Sequence, residues 1–495
     1  MAVDLTRPPE DVTTAPGSPY RNLFERLQGN ILKPHGRNVE KHVFLKFTGT
    51  PANVRTWIRT NIAPAILSTA AQFDQSRQRQ ADENFDGGLV TLFFLSAAGY
   101  RYLGLNPSQF GSGAFKKGMK DQSDGVGDFL FGTGNKDPKP SRWEVGYRDS
   151  VHAMVQLGDD PEDETRLLNA LELVKAEVAG IATVLAIETG RALRRTVDDG
   201  VNPKRVEPIE HFGYFDGISQ PIFTKEDLEK YYSDGKGTDA PGNWDPGASL
   251  ELVLADDPFS SDDEAFGSYL VYRKLYQNFG QFEDRVTACA QASGQSPTIA
   301  GAQAVGRFKD GTPLVDSDTA TAQYKNDFIF KSLDPDGWRC PAHAHIRKVN
   351  PRETTPRTSP TAERKRRIAR RGIPYGKPMP EICDAEQTDP NSAADRGLLF
   401  LCFQANVENQ FEFIQRTWVD NPNFPDNVLN VPDILGGKDT GDDPLIGQDQ
   451  NEKQRWPKRW GDPAAGREKF NFEAAVTLKG GEYFFAPSIP FLKGL

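Results

Sequence analysis

Residues 42–72 read HVFLKFTGTPANVRTWIRTNIAPAILSTAAQ, and the change of rhythm inside this stretch decides the fold. His42 to Phe47 is rich in β-branched, aromatic and other apolar residues, the composition of a strand. From Ala52 to Gln72 the apolar residues return at three- and four-residue steps, which is the period of a helix with one buried face. Leu89 to Leu95 (LVTLFFL), Val151 to Leu157 (VHAMVQL) and Thr183 to Glu188 (TVLAIE) are further strand-like runs. A second helical stretch, Glu162 to Ala179, separates the last two. The order is strand, helix, strand, strand, helix, strand.

The second half repeats it, with strands expected at Ser268 to Arg273, Leu398 to Gln404, Ala474 to Leu478 and Tyr483 to Ala486, and helices at Gln277 to Gln291 and Val407 to Trp418. This pattern predicts an α+β chain of two ferredoxin-like units, each an antiparallel sheet with peripheral helices. Residues 1–20 read as a flexible arm, 21–205 as the first unit and 206–495 as the second, with the boundary near Val201 to Pro208. Asp234 to Ser261, Ser293 to Arg339 and Lys348 to Asp395 interrupt the pattern. Loops of that length are functional or disordered. The third interrupts a simple strand crossover, which favours function.

A chain of 495 residues has room for a buried cofactor. A net charge of -10 disfavours nucleic acid as main partner, because phosphate binding needs a basic surface. No run of eighteen uncharged apolar residues exists, which excludes a membrane-spanning helix. The opening MAVDLTRPPEDVTTAPGSP lacks the features of a secretory signal, so a cytoplasmic location is expected, although a processed secreted form would look similar. Cys289, Cys340, Cys383 and Cys402 form no C-x-x-C pair and read as buried free thiols.

Six histidines are present. His42 and His152 lie in strand runs and His35 in a turn, where packing explains them, leaving His211, His343 and His345. His345 stands in CPAHAHIRKVNPR, with Arg347, Lys348 and Arg352 close behind it. A histidine beside cations suits an anionic macrocycle, whose metal needs an axial donor and whose carboxylates need positive partners. Spacing alone leaves a histidine in a basic surface loop as the plainer reading. In HFGYFDGISQP, residues 211–221, Gly213 and Gly217 bracket Asp216 among aromatic and apolar neighbours. Glycines there let the backbone approach a flat ligand, and desolvation would prepare the carboxyl for proton transfer. A turn aspartate capping its own backbone is the simpler alternative. In IARRGIPYG, residues 368–376, strand-like alternation sets Arg370 and Gly372 on one face and Arg371 on the other.

Taken together, these segments make the chain resemble the dye-decolorizing peroxidases, a haem peroxidase family marked by a G-x-x-D-G motif, here Gly213-Tyr214-Phe215-Asp216-Gly217. The resemblance runs from NLFERLQGNILKPHGRN near residue 22 to GEYFFAPSIPFL at the end, and the long insertions look like those of the larger members. It implies haem b in the C-terminal unit with His345 as axial iron ligand, Arg352 on a propionate, and Gly217 in the cofactor wall. Asp216 and Arg370 are implied as the catalytic pair that handles hydrogen peroxide, and Leu401 and Phe403, in LLFLCF, as a screen admitting only small oxidants. The carboxylate orienting His345 is Asp443 in DDPLIG, or alternatively Glu412 in QFEFIQ.

The implied reaction is reduction of hydrogen peroxide through a ferryl intermediate, followed by one-electron oxidation of dyes and phenolic compounds. Bulky aromatic donors would deliver electrons at the surface through Trp418, although plain packing explains that residue nearly as well. Asp262, Asp263 and Glu264 offer oxygen ligands to Mn(II), with solvated surface as the plainer reading. Aspartate as the acid–base group, with an ordinary value near about 4, implies an acid working pH. A haem-binding or haem-trafficking protein with incidental peroxidase activity is the competing class.

Overall fold

The computed structural model describes residues 3–120, 141, 143–160, 164–197, 205–262, 264–322, 325–355, 358–383, 387–425, 440–447 and 454–495. In the first half, β1 (Val39–Phe47), β2 (Val90–Ser96), β3 (Ala153–Asp159) and β4 (Ala182–Arg191) pair antiparallel in the order β4–β1–β3–β2. The second half contributes β5 (Phe266–Gln277), β6 (Ala369–Arg370), β7 (Ile373–Tyr375), β8 (Gly397–Gln404) and β9 (Val476–Ala486). There the order is β9–β5–β8–β7, with β6 also on β8. Both halves thus show the strand order of a ferredoxin-like unit.

The two sheets then join at both sides. Phe484 and Phe485 of β9 pair with Ser96 and Leu95 of β2, and Tyr375 of β7 pairs with Gly190 of β4. With β8 on β5, eight strands form a closed ring. Its interior is identified by contacts between strands that are not neighbours. The rings of Phe44 on β1 and Tyr272 on β5 are 4.8 Å apart, and those of Phe94 on β2 and Phe403 on β8 are 6.1 Å apart.

Because side chains alternate along a strand, β5 and β8 serve two compartments at once. Tyr272 and Lys274 turn into the ring, where Tyr272 Oη lies 3.2 Å from Tyr147 Oη and Lys274 Nζ 3.0 Å from Glu188 Oε2. Arg273, Leu275 and Gln277 of β5, with Leu398 and Phe400 of β8, face outward and line a cavity. The α-helix α1 (Phe279–Ser293) follows β5, its N-cap Asn278 accepting the backbone N–H of Gln281.

Several local expectations are corrected. The helix expected over Ala52 to Gln72 breaks after Ala65, behind Pro64, and a new helix, Thr69–Ala81, starts on the Ser68 side chain as N-cap. The two strands expected at Ala474 to Leu478 and Tyr483 to Ala486 are one, β9, with its register shift between Leu478 and Gly480. Gly480 is required there, since a Cβ would stand 2.3 Å from the Tyr147 ring. The expected helix Val407 to Trp418 shortens to Phe411–Val419, most of it a π-turn. The arm is packed rather than free: Val12 is fully buried, and Glu226 accepts from the Thr13 hydroxyl at 2.6 Å and the Thr14 amide at 2.9 Å.

The ribbon Leu193–Val197 with Arg205–Ile209 straddles the expected unit boundary, of which residues 201–204 lie outside the described residues. Cys289, Cys340, Cys383 and Cys402 are all buried. Among the described residues no helix is long and apolar enough to cross a membrane.

Candidate active site

The cavity lies against the outward face of β5 and β8, under the long connections of the second half, and those connections supply its chemistry. His345 opens a short helix, α2 (His345–Val349), and points a side chain that is 26% exposed into the cavity. Its Nδ1 is 2.7 Å from Asp443 Oδ2. The other oxygen of Asp443 accepts the amides of Leu445 and Ile446 at 2.8 and 3.1 Å, so the carboxylate is held in place by its own loop. A ring engaged at Nδ1 leaves Nε2 as the nitrogen able to ligate. His343, two residues earlier, is buried against Trp456 with ring centroids 4.4 Å apart and does not line the cavity. Glu412, the alternative carboxylate, instead accepts the Tyr483 hydroxyl at 2.9 Å.

Asp216 and Arg370, 154 residues apart, meet in the same cavity, with Arg370 Nη1 donating to Asp216 Oδ1 at 3.2 Å. Arg370 Nη2 also donates to the Ser219 carbonyl at 3.0 Å, and its backbone N–H donates to Gln220 Oε1 at 3.0 Å. Pairing of β6 with β8 at Cys402 fixes the alternation: Arg370 faces the cavity, while Arg371 is buried on the carbonyls of Asn30 and Ile31. The Asp216 side chain remains 30% exposed and takes the Gly217 amide at 2.6 Å. Gly217 has φ +77°, and nothing lies within 4 Å of where its Cβ would be.

Two further arginines of the wall are buried without a carboxylate partner among the described residues. Arg352 donates to the carbonyls of Asn326 and Phe328 at 3.1 and 2.9 Å and to Ser219 Oγ at 3.4 Å. Arg307 donates to the Gly311 carbonyl at 2.9 Å and to Asn326 Oδ1 at 2.8 Å. Burial pulls the Arg352 guanidinium down to about 9, with Arg307 adding like-charge repulsion, and burial pulls Arg307 down to about 10. Asp316 lies within electrostatic reach of both, but their direct hydrogen bonds go to neutral acceptors, which leaves the pair suited to a further anion. The remaining wall is apolar, including Val305, Ile346, Ile414, Val419, Leu445 and Ile446.

Leu401 and Phe403 are not in the cavity. They are fully buried inside the strand ring, and Leu398 and Phe400 occupy the wall instead. LLFLCF contains the Leu-x-Phe spacing twice, three residues apart, and an odd offset along a strand reverses the face. Trp418 is buried, 3% exposed, and stacked on Phe424 with centroids 5.3 Å apart, so it is no surface contact for a bulky donor. Asp262 and Glu264 both engage Arg26, at 2.8 and 3.5 Å, and Asp263 lies outside the described residues. Among the described residues no group of three or more His, Cys, Asp or Glu side chains is placed to hold a metal ion.

Sequence reading also missed Glu210, Trp244, Gln277 and Arg307, all of which line the cavity. Glu210 directly precedes the quoted HFGYFDGISQP segment, so a motif window one residue wider would have included it.

Comparison with known proteins identifies the family. Residues 236–437 match the family model described as Dyp-type peroxidase, C-terminal. The chain is 36% identical over 487 residues to the multifunctional dye peroxidase DyP2 of Amycolatopsis sp., covering 96% of each sequence. It is 30% identical to peroxidase 2 of Mycetinis scorodonius, over 97% of this chain and 88% of that protein. The solved structure of a DyP-type peroxidase from Anabaena sp. superposes with a TM-score of 0.85 at 38% identity, over 99% of this chain and 98% of that one. With near-complete coverage in both sequence and structure, the chain belongs to the Dyp-type peroxidase family.

Proposed function

We propose that the protein is a haem b peroxidase that reduces hydrogen peroxide and oxidises dyes and phenolic compounds in one-electron steps. The observation that carries this reading is one cavity lined at once by His345, oriented through Asp443, and by the Asp216–Arg370 pair. A haem fits the residues present: an imidazole with Nε2 available, two buried guanidiniums hydrogen-bonded to neutral acceptors, apolar walls, and open space before Gly217. His345 would ligate the iron, and Arg352, joined by Arg307, would hold propionate. Once bound, the iron porphyrin supplies the electrons that reduce peroxide and stores the oxidising equivalents later passed to donors.

The chain's own residues supply the proton traffic. Asp216 takes the proton from one peroxide oxygen and returns it to the other, so that water can leave. Arg370 stabilises the negative charge that grows as the O–O bond breaks, from a position already fixed by Ser219 and Gln220. Leu398 and Phe400 wall the site and keep larger oxidants out. Trp418, with its ring on Phe424, would be an internal stage of electron transfer from donors too large for the cavity. A haem carrier needs only the ligand and propionate contacts, whereas here a carboxylate and a guanidinium are also held in register.

The test is to purify the chain with haem and record its visible spectrum before and after peroxide, then repeat with Asp216→Asn, Arg370→Leu and His345→Ala. Loss of peroxide activation in the first two, and of the axial ligand signature in the third, is expected. Unchanged activation without Asp216 and Arg370 would refute the distal roles.

A further inference from the structure

We propose that Glu210 is a positioning residue for the reaction, fixing the turn that carries Asp216 against the β5 wall; this rests on the role given to Asp216 above. The chain reverses at Glu210–Tyr214, where the Gly213 amide donates to the Glu210 carbonyl at 2.9 Å and the Glu210 amide to the Tyr214 carbonyl at 3.1 Å. Gly213 takes φ +85° at the top of this turn. The returning strand places Phe215 opposite Ile209, and the Asp216 amide donates to the Pro208 carbonyl at 3.0 Å. The position of Asp216 is thus set by the shape of the turn two residues before it.

The Glu210 carboxylate folds back into that turn. Oε2 accepts the Phe212 amide at 2.8 Å and Oε1 the Tyr214 amide at 2.9 Å, while Gln277 Nε2, from the end of β5, donates to Oε2. Three N–H groups therefore converge on one side chain, two from the turn and one from the cavity wall. The loop beyond Asp216 is tied separately, through Ser219 and Gln220 to Arg370. Asp216 lies between these two moorings, and its 3.2 Å approach to Arg370 depends on both.

The donor geometry demands a carboxylate. An ionised glutamate accepts at both oxygens, whereas glutamine would turn an N–H₂ group toward N–H donors. Aspartate, one methylene shorter, loses reach to one of the two amides. Glu210→Gln is thus a disruptive change despite its size, acting on the peroxide step through Asp216 rather than by contact with the reacting atoms.

The experiment is a double-mutant cycle on the haem-reconstituted full chain with Glu210→Gln, Asp216→Asn and the pair, reading kcat/KM for peroxide. Glu210→Gln alone is expected to lower it about 10- to 100-fold, the scale of a small misplacement of a reacting group. In the Asp216→Asn background it should lower it less than about twofold further. Hydrogen exchange at the Phe212 and Tyr214 amides should accelerate with or without haem. Should Glu210→Gln not fold, Gln277→Leu removes the wall donor alone and gives the same non-additive comparison with a smaller loss. Additive losses, no loss in the single variant, or unchanged exchange at the two amides would each overturn the proposal. A null effect of Asp216→Asn itself would instead bring down the distal role it rests on.

Discussion

Asp443 Oδ2 stands 2.7 Å from His345 Nδ1 while Asp443 Oδ1 is held by the amides of Leu445 and Ile446, so the carboxylate cannot turn away from the imidazole. In Asp443→Asn those amides retain the oxygen, and the N–H₂ group must face the ring. The imidazole proton is then driven onto Nε2, the atom that would ligate the iron under the proposed function. Haem affinity or activity should fall by about 10- to 100-fold. A haem titration followed in the visible spectrum checks this, and equal affinity and turnover in the variant would show that the carboxylate has no such role.

Leu398 and Leu401 offer a paired comparison, since they lie three residues apart and face different compartments. Leu401→Ala empties space inside the strand ring and should lower stability by about 2–5 kcal/mol with little change in peroxide kinetics. Leu398→Ala and Phe400→Ala enlarge the cavity, so they should alter kcat/KM for peroxide and admit bulkier oxidants. Thermal melts and steady-state kinetics on the three variants separate the two effects.

Acid should weaken the fold through His211. This ring is fully buried with Nε2 2.8 Å from the Tyr375 carbonyl, and burial pulls its value down to about 4. The unfolded chain takes up the proton near about 6.5, so the folded state loses ground as pH falls from there toward the folded value. The full effect is about 3 kcal/mol. Burial pulls His152 down to about 4 as well, in the same direction. Melting temperature should drop between those pH values, and His211→Gln, which keeps a donor for Tyr375, should flatten part of the drop. A parallel pH curve for wild type and variant would contradict this.

Trp418→Phe retains an aromatic ring against Phe424 and removes the more easily oxidised indole. Turnover of a bulky dye should fall at least about tenfold, equivalent to about 1.4 kcal/mol in the barrier, with peroxide reduction by a small donor unaffected. If dye turnover survives unchanged, electrons enter by another route.

Much of this arrangement could be read without coordinates, and the reasons differ by residue. The strand-helix order was legible because strands buried on both faces concentrate apolar residues, as in His42 to Phe47 and in Ser268 to Arg273, while burial on one face writes a helical period into Thr165–Glu177. Arg370 and Arg371 could be separated because alternation alone assigns adjacent residues to opposite faces. The same rule misled at LLFLCF, where a repeated spacing hid which Leu-x-Phe faced outward; only the pairing of Leu398 with Leu275 and Phe400 with Arg273 settles it. Arg307, Trp244 and Gln277 carry no local signal, since they reach the cavity from long connections or strand ends brought together by the fold. The stop after Ala65 lies just past Pro64, but the apolar period on either side of it masked the break.

The ring of eight strands has a consequence for how the protein comes into being. Its last member in chain order, Val476–Ala486, hydrogen-bonds on one side to Phe266–Gln277 and on the other to Val90–Ser96. During synthesis, both of those partners wait with unsatisfied amides and carbonyls until it emerges, a template for pairing with foreign chains. A nascent chain stalled before residue 476 is therefore a sticky, open trough, and chaperone dependence should concentrate in that interval.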